Sequence, residues 1–363
     1  MKKALAVLSV ALLAALPAKA DITIGLAGPL TGSYASLGDQ MRHGTRQAIA
    51  DINEAGGING EKLVLREGDD ACDPKQAVAV ANQMINANVK FVIGHGCSGS
   101  SIPASKVYAE ENIVMISPVS TNPDLTEAGL TNVFRTCGRD DQEGEVQAKY
   151  VLRHFHDKKI AALHDNTAVG RSQAEQFIKN LNAGGVKEVL FDSYTPGEKD
   201  YSALVAKLKQ HGVQVLAIGG YHVEVGLIAR QLKQQGTDIQ IIGGDALATQ
   251  ELWSITGAAG EGLLMSFSPD PTKHPETKPI IERMRKAGHE PESYEFYSYA
   301  AVQAMAEGIR RAGKDPIKVA AALRREPIQT VIGKIGFNAK GDTIGSSYVI
   351  YRWHDGKYVE AGE

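Results

Sequence analysis

The chain has 363 residues, a formal net charge of −3 and 22% charged residues. This balance provides no basic surface for nucleic acid and no strongly acidic tail, so the expected partner is a small molecule or another protein. Even without its first twenty residues the chain exceeds the roughly 250 to 300 residues at which single hydrophobic cores stop growing, which predicts two lobes.

The N-terminal segment, 1–20, has the pattern of a secretory signal peptide. Two lysines precede an apolar run over 4–17, and small residues follow at 18 and 20. The run is shorter than the roughly 20 residues that span a bilayer. We predict cleavage after Ala20, a mature chain that starts at Asp21, and export to the periplasm.

From Ile22 onward, short β-rich runs alternate with amphipathic segments. Helices are predicted near 38–55, 74–87 and 101–111, the second with Asp73 as its N-cap. The runs FVIGHG, IVMISP, KIAALHD and VQVLAIGG are continuously apolar, as in strands that helices cover on both faces. The sequence therefore predicts an α/β protein with parallel sheets built from βαβ units.

The rhythm breaks in two places, and each break is interpreted as a crossing between lobes. The first lies at 131–145 and leads into a helix predicted to begin near Glu143. The second, at 267–279, is rich in proline and polar residues. The tail from 331 on reads as strands and turns that return to the second lobe.

Several chemistries lack their motifs. The chain has no G-x-x-x-x-G-K-[ST] loop and no HExxH, so we expect neither a cofactor nor a metal site. HGCSGS approaches a nucleophile elbow, but Ser100 stands where its final glycine should be. An enzyme that used Ser98 or Cys137 would need an aligned base, and none is evident, so no catalysis is expected. His164 and His222 are expected to bond to the backbone.

Small polar residues follow the predicted strands, where open α/β sheets bind ligands. Ser98 precedes a helix whose free N–H groups suit an α-carboxylate. Thr121 and the carbonyl of Val119 offer neutral acceptors, and Tyr221 offers an aromatic wall. Asp245 offers the counter-charge that a buried α-ammonium needs, with an N-cap as its alternative role. This set predicts recognition of a zwitterion.

The motifs DDACDPKQAVAVAN, FVIGHGCSGS, FRTCGRDDQEG, GEKDYSALVAKLK and IGGYH, with GGINGEKL before them, stand in order along the chain. The sequence resembles the periplasmic branched-chain amino-acid binding proteins over essentially the whole mature chain. The resemblance implies a type I periplasmic-binding-protein fold, in which two doubly wound parallel-sheet lobes are joined by a three-stranded hinge. The implied lobes are 21–139 plus 268–346, and 140–267 plus 347–363.

The three cysteines are Cys72, Cys97 and Cys137, and their spacing alone leaves the pairing open. The family's cystine matches Cys72 and Cys97, so the resemblance implies that Cys137 is the free thiol.

The family's ligand contacts fall on the polar residues already singled out. Its carboxylate contact matches Ser98, the contacts after the next strand match Val119 and Thr121, and the second-lobe contacts match Tyr221 and Asp245. The family's acidic contact is commonly Glu, so a water is able to replace the direct bond of the shorter Asp245 to the ammonium.

Three pocket positions depart from the family pattern, namely Leu37, Gly96 and Val169, and these departures favour an enlarged or reshaped side-chain pocket. The implied function is that of a monomeric binding component of an ABC importer. It closes on a branched-chain or other small neutral amino acid and delivers it to an inner-membrane permease. The alternative is a sensor or binding protein for amides, urea or γ-amino acids on the same scaffold.

Overall fold

A computed structural model describes residues 21–362 of the chain. The predicted signal peptide lies outside the described residues. No helix among those described has the length and apolar character needed to cross a membrane.

Strands and helices alternate along most of the chain. The strands are β1 (Ile22–Gly28), β2 (Leu63–Asp69), β3 (Phe91–Gly94), β4 (Val114–Ser117), β5 (Val133–Arg135), β6 (Ile160–His164), β7 (Leu190–Ser193), β8 (Val215–Gly219), β9 (Gln240–Gly243), β10 (Leu264–Phe267), β11 (Ile328–Thr330), β12 (Gly333–Ile335), β13 (Val349–His354) and β14 (Lys357–Glu360). The α-helices are α1 (Ala35–Glu54), α2 (Pro74–Asn86), α3 (Ser98–Glu110), α4 (Asp124–Glu127), α5 (Asp140–Phe155), α6 (Ala168–Ala183), α7 (Ser202–His211), α8 (His222–Gln234), α9 (Gln250–Thr256), α10 (Lys278–Lys286), α11 (Ser293–Ala312) and α12 (Pro316–Arg325).

The strands form two main sheets, each with helices packed on it, and these are the two lobes. The first lobe has a five-stranded, wholly parallel sheet in the order β2-β1-β3-β4-β5. The second has a seven-stranded sheet in the order β14-β13-β10-β9-β8-β6-β7. The expectation of parallel sheets fails at one edge of the second sheet, because β13 pairs antiparallel with β10 and β14 antiparallel with β13. The tail returns to the second lobe, as predicted.

Burial follows the position of each strand in its sheet. The interior strands β3, β4, β6, β8 and β10 are buried at every residue. The edge strands β2 and β7 include exposed or half-buried positions, because helices do not cover an edge completely. A continuous apolar cluster includes residues of both lobes, among them Leu26, Ile116, Leu163 and Ile218.

Two helices begin earlier than predicted. Helix α3 starts at Ser98, not near residue 101, and α5 starts at Asp140, not near Glu143. The first positions of both helices are occupied by small or acidic residues, which are also common in turns. The free N–H groups of a first helical turn can bond to such side chains. The N-cap of α2 is confirmed, because the Asp73 side chain accepts hydrogen bonds from the backbone N–H groups two and three residues on.

The chain crosses between the lobes three times. It leaves the first sheet after β5, leaves the second after β10, and returns from β12 to β13. Arg135, Arg139 and Asp342 tie the first crossing to the third. The buried Arg135 Nε lies 2.9 Å from Asp342 Oδ1, and Arg139 Nη1 lies 3.0 Å from Asp342 Oδ2.

Candidate functional site

The predicted site residues lie where the two lobes face each other. Ser98, Val119 and Thr121 follow β3 and β4 of the first lobe, whereas Tyr221 and Asp245 follow β8 and β9 of the second. All five are buried. Each of the five therefore lies beyond the carboxyl end of a strand, where the sequence placed it.

Direct contacts cross the cleft between the lobes. The ring of Tyr34 lies on that of Tyr221, with 4.3 Å between centroids and 32° between planes. Asn122 Nδ2 donates to the carbonyl of Ala168 over 2.7 Å. Since each pair joins the first lobe to the second, the cleft is closed in this structure.

Ser98 is the first residue of α3, and Cys97 is the N-cap. The prediction that Ser98 precedes the helix is therefore wrong, because Ser98 is part of its first turn. Its Oγ accepts from Asn122 N at 3.3 Å. The three glycines in 94–99 also match the pattern G-x-G-x-x-G between a strand and a helix. This pattern lets an anion approach the backbone closely. It is a signal that the sequence analysis did not use.

The disulfide between Cys72 and Cys97 is present, with 5.5 Å between Cα atoms. Asp70 supports it, because its Oδ1 accepts from Cys72 N at 2.8 Å and its Oδ2 lies 2.5 Å from His95 Nδ1. The start of α3 is therefore held from the side of β2. Cys137 is the free thiol, as the resemblance implies. It is buried, and burial raises the pKa of this thiol.

Hydroxyl groups fix the two loops that follow β3 and β4. Ser120 Oγ lies 2.6 Å from Ser101 Oγ and donates to the Gly96 carbonyl at 2.9 Å, and Ser117 Oγ donates to the His95 carbonyl at 2.7 Å. Ser101 therefore joins the loops instead of capping a helix. These hydrogen bonds between the two loops could not be predicted from the serines in the sequence.

The guanidinium of Arg135 positions the segment around Thr121. It is fully buried and donates to the carbonyls of Ser120 and Asn122 at 2.8 and 3.0 Å, and to Thr126 Oγ1 at 2.8 Å. These bonds hold the backbone on both sides of Thr121. The signal that could have found Arg135 is an arginine at the end of a short apolar strand, which must be paired if buried.

Asp245 belongs to a hydrogen-bonded group that the sequence analysis missed. Its Oδ2 accepts from Tyr294 Oη at 2.5 Å, and its Oδ1 accepts from Gln173 Nε2 at 3.1 Å. Its backbone N–H donates to Glu143 Oε1 at 2.7 Å. The alternative N-cap role is not observed, because the short 3-10 turn that begins at Asp245 has Gly244 as its cap.

Three carboxyl groups are buried together here, from Asp140, Glu143 and Asp245. Burial raises the pKa of Asp140 to about 7 and that of Asp245 to about 6, and burial with its acidic neighbours raises the pKa of Glu143 well above its usual range. Such a group is costly when ionised without a cation. It is therefore suited to a positively charged ligand group.

Tyr34 is a further cleft residue that sequence reasoning missed. Besides the stacking on Tyr221, its hydroxyl donates to Glu224 Oε2 at 3.2 Å, and Glu224 is buried in the second lobe. Tyr34 stands in the glycine-rich stretch GLAGPLTGSYASLG. An aromatic residue within such a glycine-rich stretch was the available signal.

The three positions that depart from the family pattern differ in their surroundings. Leu37 and Val169 are buried in the same apolar cluster as Val119. A β-carbon on Gly96 would lie 2.9 Å from Met41 Sδ and 2.9 Å from a Pro29 ring carbon. The missing side chain at Gly96 therefore does not by itself enlarge the pocket.

The histidines differ from each other. His164 Nδ1 accepts from Asn166 N at 3.1 Å, so the expected backbone bond is confirmed. The same expectation is wrong for His222, which begins a helix and lies 2.8 Å from Glu251 Oε2 and 3.3 Å from Ser36 Oγ. Within residues 21–362, neither the Ser98 hydroxyl nor the Cys137 thiol forms a hydrogen bond with a histidine, since Ser98 Oγ accepts from Asn122 N and Cys137 Sγ donates to the Ser120 carbonyl.

Comparison with known proteins gives one consistent result. The family model for periplasmic binding proteins matches residues 21–357. A Leu/Ile/Val-binding protein homolog from Brucella suis biovar 1 is 50% identical over 344 residues, which cover 93% of each chain.

Solved structures agree with this match. A leucine binding protein from Thermotoga maritima superimposes with a TM-score of 0.87 at 26% identity, over 94% of this chain and 98% of that chain. An ABC transporter substrate-binding protein from Desulfitobacterium hafniense, in complex with Leu, does so with a TM-score of 0.78 at 30% identity, over 94% and 99%.

Proposed function

Since this chain belongs to the family of periplasmic binding proteins, we propose that it is the substrate-binding component of an ABC importer for a branched-chain or other small neutral amino acid. The observation that carries the proposal is the buried group of three carboxyls from Asp140, Glu143 and Asp245. The first lobe contributes the start of α3, which follows β3. A zwitterion has a positive group that suits the buried carboxyls and a negative group that suits the N–H groups at the start of α3. The names of the relatives support an aliphatic ligand.

We assign the ligand's α-carboxylate to Ser98 and the first N–H groups of α3, where the partial positive charge of the helix end lies. The α-ammonium is assigned to Asp245, with Thr121 and the Val119 carbonyl as neutral acceptors. The side chain of the ligand would lie among buried apolar and aromatic residues. These are Leu37, Val119, Val169 and Tyr221.

Binding is proposed to work by closure of the lobes, with boundaries at 21–139 plus 268–346 and 140–267 plus 347–363. A ligand that contacts both lobes binds the closed state more tightly than the open one and so shifts the population towards it. The contacts of Tyr34 with Tyr221 and Glu224 add to closure. The closed, ligand-loaded form is the one proposed to dock on an inner-membrane permease.

The remaining assignments follow from the same role. The mature protein, released after Ala20, is proposed to act as a monomer in the periplasm without a cofactor for ligand binding. It is proposed to catalyse no reaction, since amino-acid capture needs only the hydrogen bonds and charges described.

The proposal is tested by a thermal-shift screen of ligand-stripped mature protein against the proteinogenic amino acids, γ-aminobutyrate, urea and short amides. A ligand that binds only the folded state raises Tm. Increases confined to leucine, isoleucine, valine and similar aliphatic amino acids are expected. Increases only with amides, urea or γ-aminobutyrate would keep the fold and overturn the proposed ligand class.

A further inference from the structure

A second group of polar side chains lies outside the ligand cleft, on the helices of the first lobe. His43 on α1, His289 after α10 and Glu295 on α11 each offer one ligand atom, and these atoms all lie within 4.8 Å of one another. His289 Nε2 lies 2.7 Å from Glu295 Oε1, and His43 Nδ1 lies 3.9 Å from the same oxygen. The two imidazole rings are 4.0 Å apart between centroids.

Two polar atoms of this group are buried without a hydrogen-bond partner among the described residues. They are His43 Nδ1 and Glu295 Oε2. The side chain of Glu295 is fully buried, although a buried carboxylate oxygen or imidazole nitrogen normally has a partner. The protein's own hydrogen bonds therefore do not explain why these two atoms are buried near each other. Both are of types that coordinate metal ions.

The backbone holds the group in place. A β-carbon on Gly44 would lie 2.1 Å from the carbonyl oxygen of Glu295, so α1 and α11 approach each other as closely as the glycine permits. The Glu295 side chain also accepts from Glu292 N at 3.1 Å, which fixes it at the first turn of α11. His43 and Glu295 are therefore placed by a helix crossing, not by a mobile loop.

The nearby charges do not prevent cation binding. Arg42 and Arg46 lie on the same helix as His43, but both pair with acids: Arg42 with Asp39, and Arg46 with Glu67 at 2.8 Å. Glu292 adds a negative charge next to the group. The local balance is therefore compatible with a divalent cation.

We propose that His43, His289 and Glu295 form a binding site for a divalent transition metal ion of the Zn²⁺ type. Two imidazoles and one carboxylate suit Zn²⁺ and its transition-metal neighbours, whereas Mg²⁺ and Ca²⁺ prefer oxygen-only sites. Tetrahedral ligands at about 2.0 to 2.2 Å from zinc lie about 3.3 to 3.6 Å apart, so side-chain shifts of about 1 Å would complete the site.

The expected site has three protein ligands and one position open to water. The side chains of His43 and His289 are 41% and 32% exposed, which gives the ion access from solvent. Bound metal would cross-link α1 to the start of α11. Because the unfolded chain lacks this arrangement, binding raises the stability of the folded protein.

The test is a calorimetric titration of chelator-treated, tag-free mature protein with ZnCl₂, together with Tm with and without zinc. We expect one zinc ion per chain at this site and an increase in Tm. His43→Ala is expected to weaken zinc binding at least about tenfold and to reduce the Tm increase accordingly. Without zinc its fold should persist, because His43 Nδ1 has no hydrogen-bond partner to lose.

The chain provides a matched control in the exposed group Glu261, His354 and Asp355, which also could hold an ion. His354→Ala is expected to leave the tight zinc site and its Tm increase unchanged. His289→Ala provides a second ligand variant, which should lose zinc as His43→Ala does. Absence of zinc binding, or a site that survives His43→Ala and His289→Ala but disappears in His354→Ala, would overturn the proposal.

Discussion

Asp245 stands at the centre of the buried carboxyl group in the cleft. Its two oxygens accept hydrogen bonds from Tyr294 and Gln173, and its backbone N–H is bound by Glu143. Among the described residues its carboxylate has hydrogen-bond partners but no ion-pair partner. A ligand ammonium would supply the missing cation.

Asp245→Asn keeps the size of the side chain and removes its charge. We expect the affinity for leucine to fall by about 3 kcal/mol, or about a hundredfold in Kd, because the ammonium loses its ionic partner in a buried place. The fold should persist, since ionised Asp245 is itself unfavourable when buried. Calorimetry with leucine measures the change.

The control for this variant is Asp238→Asn, which changes an exposed carboxyl of the same lobe. It should bind leucine as the unaltered protein does. Equal affinities for Asp245→Asn and the unaltered protein would show that Asp245 does not bind the ammonium.

At the scale of single residues, the sequence was informative where a side chain directly follows a strand. Ser98, Thr121, Tyr221 and Asp245 were predicted in this way, and in the structure each is buried and follows a strand. Partners contributed from far along the chain were missed. Tyr294, for example, reaches Asp245 from a helix 49 positions later, and no local pattern encodes that contact.

At the scale of elements, the crossings between the lobes depend on one carboxylate. Asp342 lies 2.9 Å from Arg135 Nε and 3.0 Å from Arg139 Nη1, and it accepts from Thr126 Oγ1 at 2.7 Å. Burial acts to raise its pKa, but the Thr126 hydroxyl and the two arginines hold that pKa below its usual value. Asp342 is thus ionised and links two of the three crossings.

Asp342→Ala would leave the fully buried Arg135 without its counter-charge. Removing one partner of a buried ion pair costs about 3 to 5 kcal/mol, so a large drop in Tm is expected. The control Glu127→Ala removes the most exposed of the three acidic partners of Arg139 and should cost at most about 1 kcal/mol. Thermal unfolding of both variants compares them directly. Equal small losses would contradict the role given to Asp342.

Elements with strong apolar periodicity were predictable, and their ends were less so. The interior strands were predictable because burial on both faces makes them continuously apolar. Helix α2 was predictable because its apolar residues recur at helical spacing. The start of α3 was misplaced, because Ser98, Gly99 and Ser100 have low helix propensity and are held helical by the tertiary structure. The antiparallel pairing of β13 depends on a distant partner strand.

At the scale of the whole molecule, length alone indicated two lobes, and the alternation of strands and helices indicated their class. The contacts that close the cleft could not be predicted. Tyr34 and Tyr221 are 187 positions apart and meet only after both lobes have formed and approached each other. The sequence therefore predicted the two lobes, and candidate site residues in each of them, more fully than the closed arrangement between them.

The buried carboxyls also link ligand binding to pH. In the ligand-free protein the raised pKa values of Asp140, about 7, and Asp245, about 6, mean that the native state holds protons that the unfolded chain releases near pH 4. Because the native state binds more protons than the unfolded chain in this range, the free energy of unfolding falls as pH rises from about 4 to about 7. A bound ammonium favours the ionised carboxylates, so binding is expected to release protons near pH 6 and to weaken below it.

The most direct measurement is a calorimetric titration of ligand-stripped mature protein with leucine at pH 6, in two buffers that differ in ionisation enthalpy. We predict saturable binding of one leucine per chain, with a difference in heat between the buffers that corresponds to proton release. No binding of leucine would contradict the proposed aliphatic ligand, and binding accompanied by proton uptake would contradict capture of the ammonium by the buried carboxyls of this cleft.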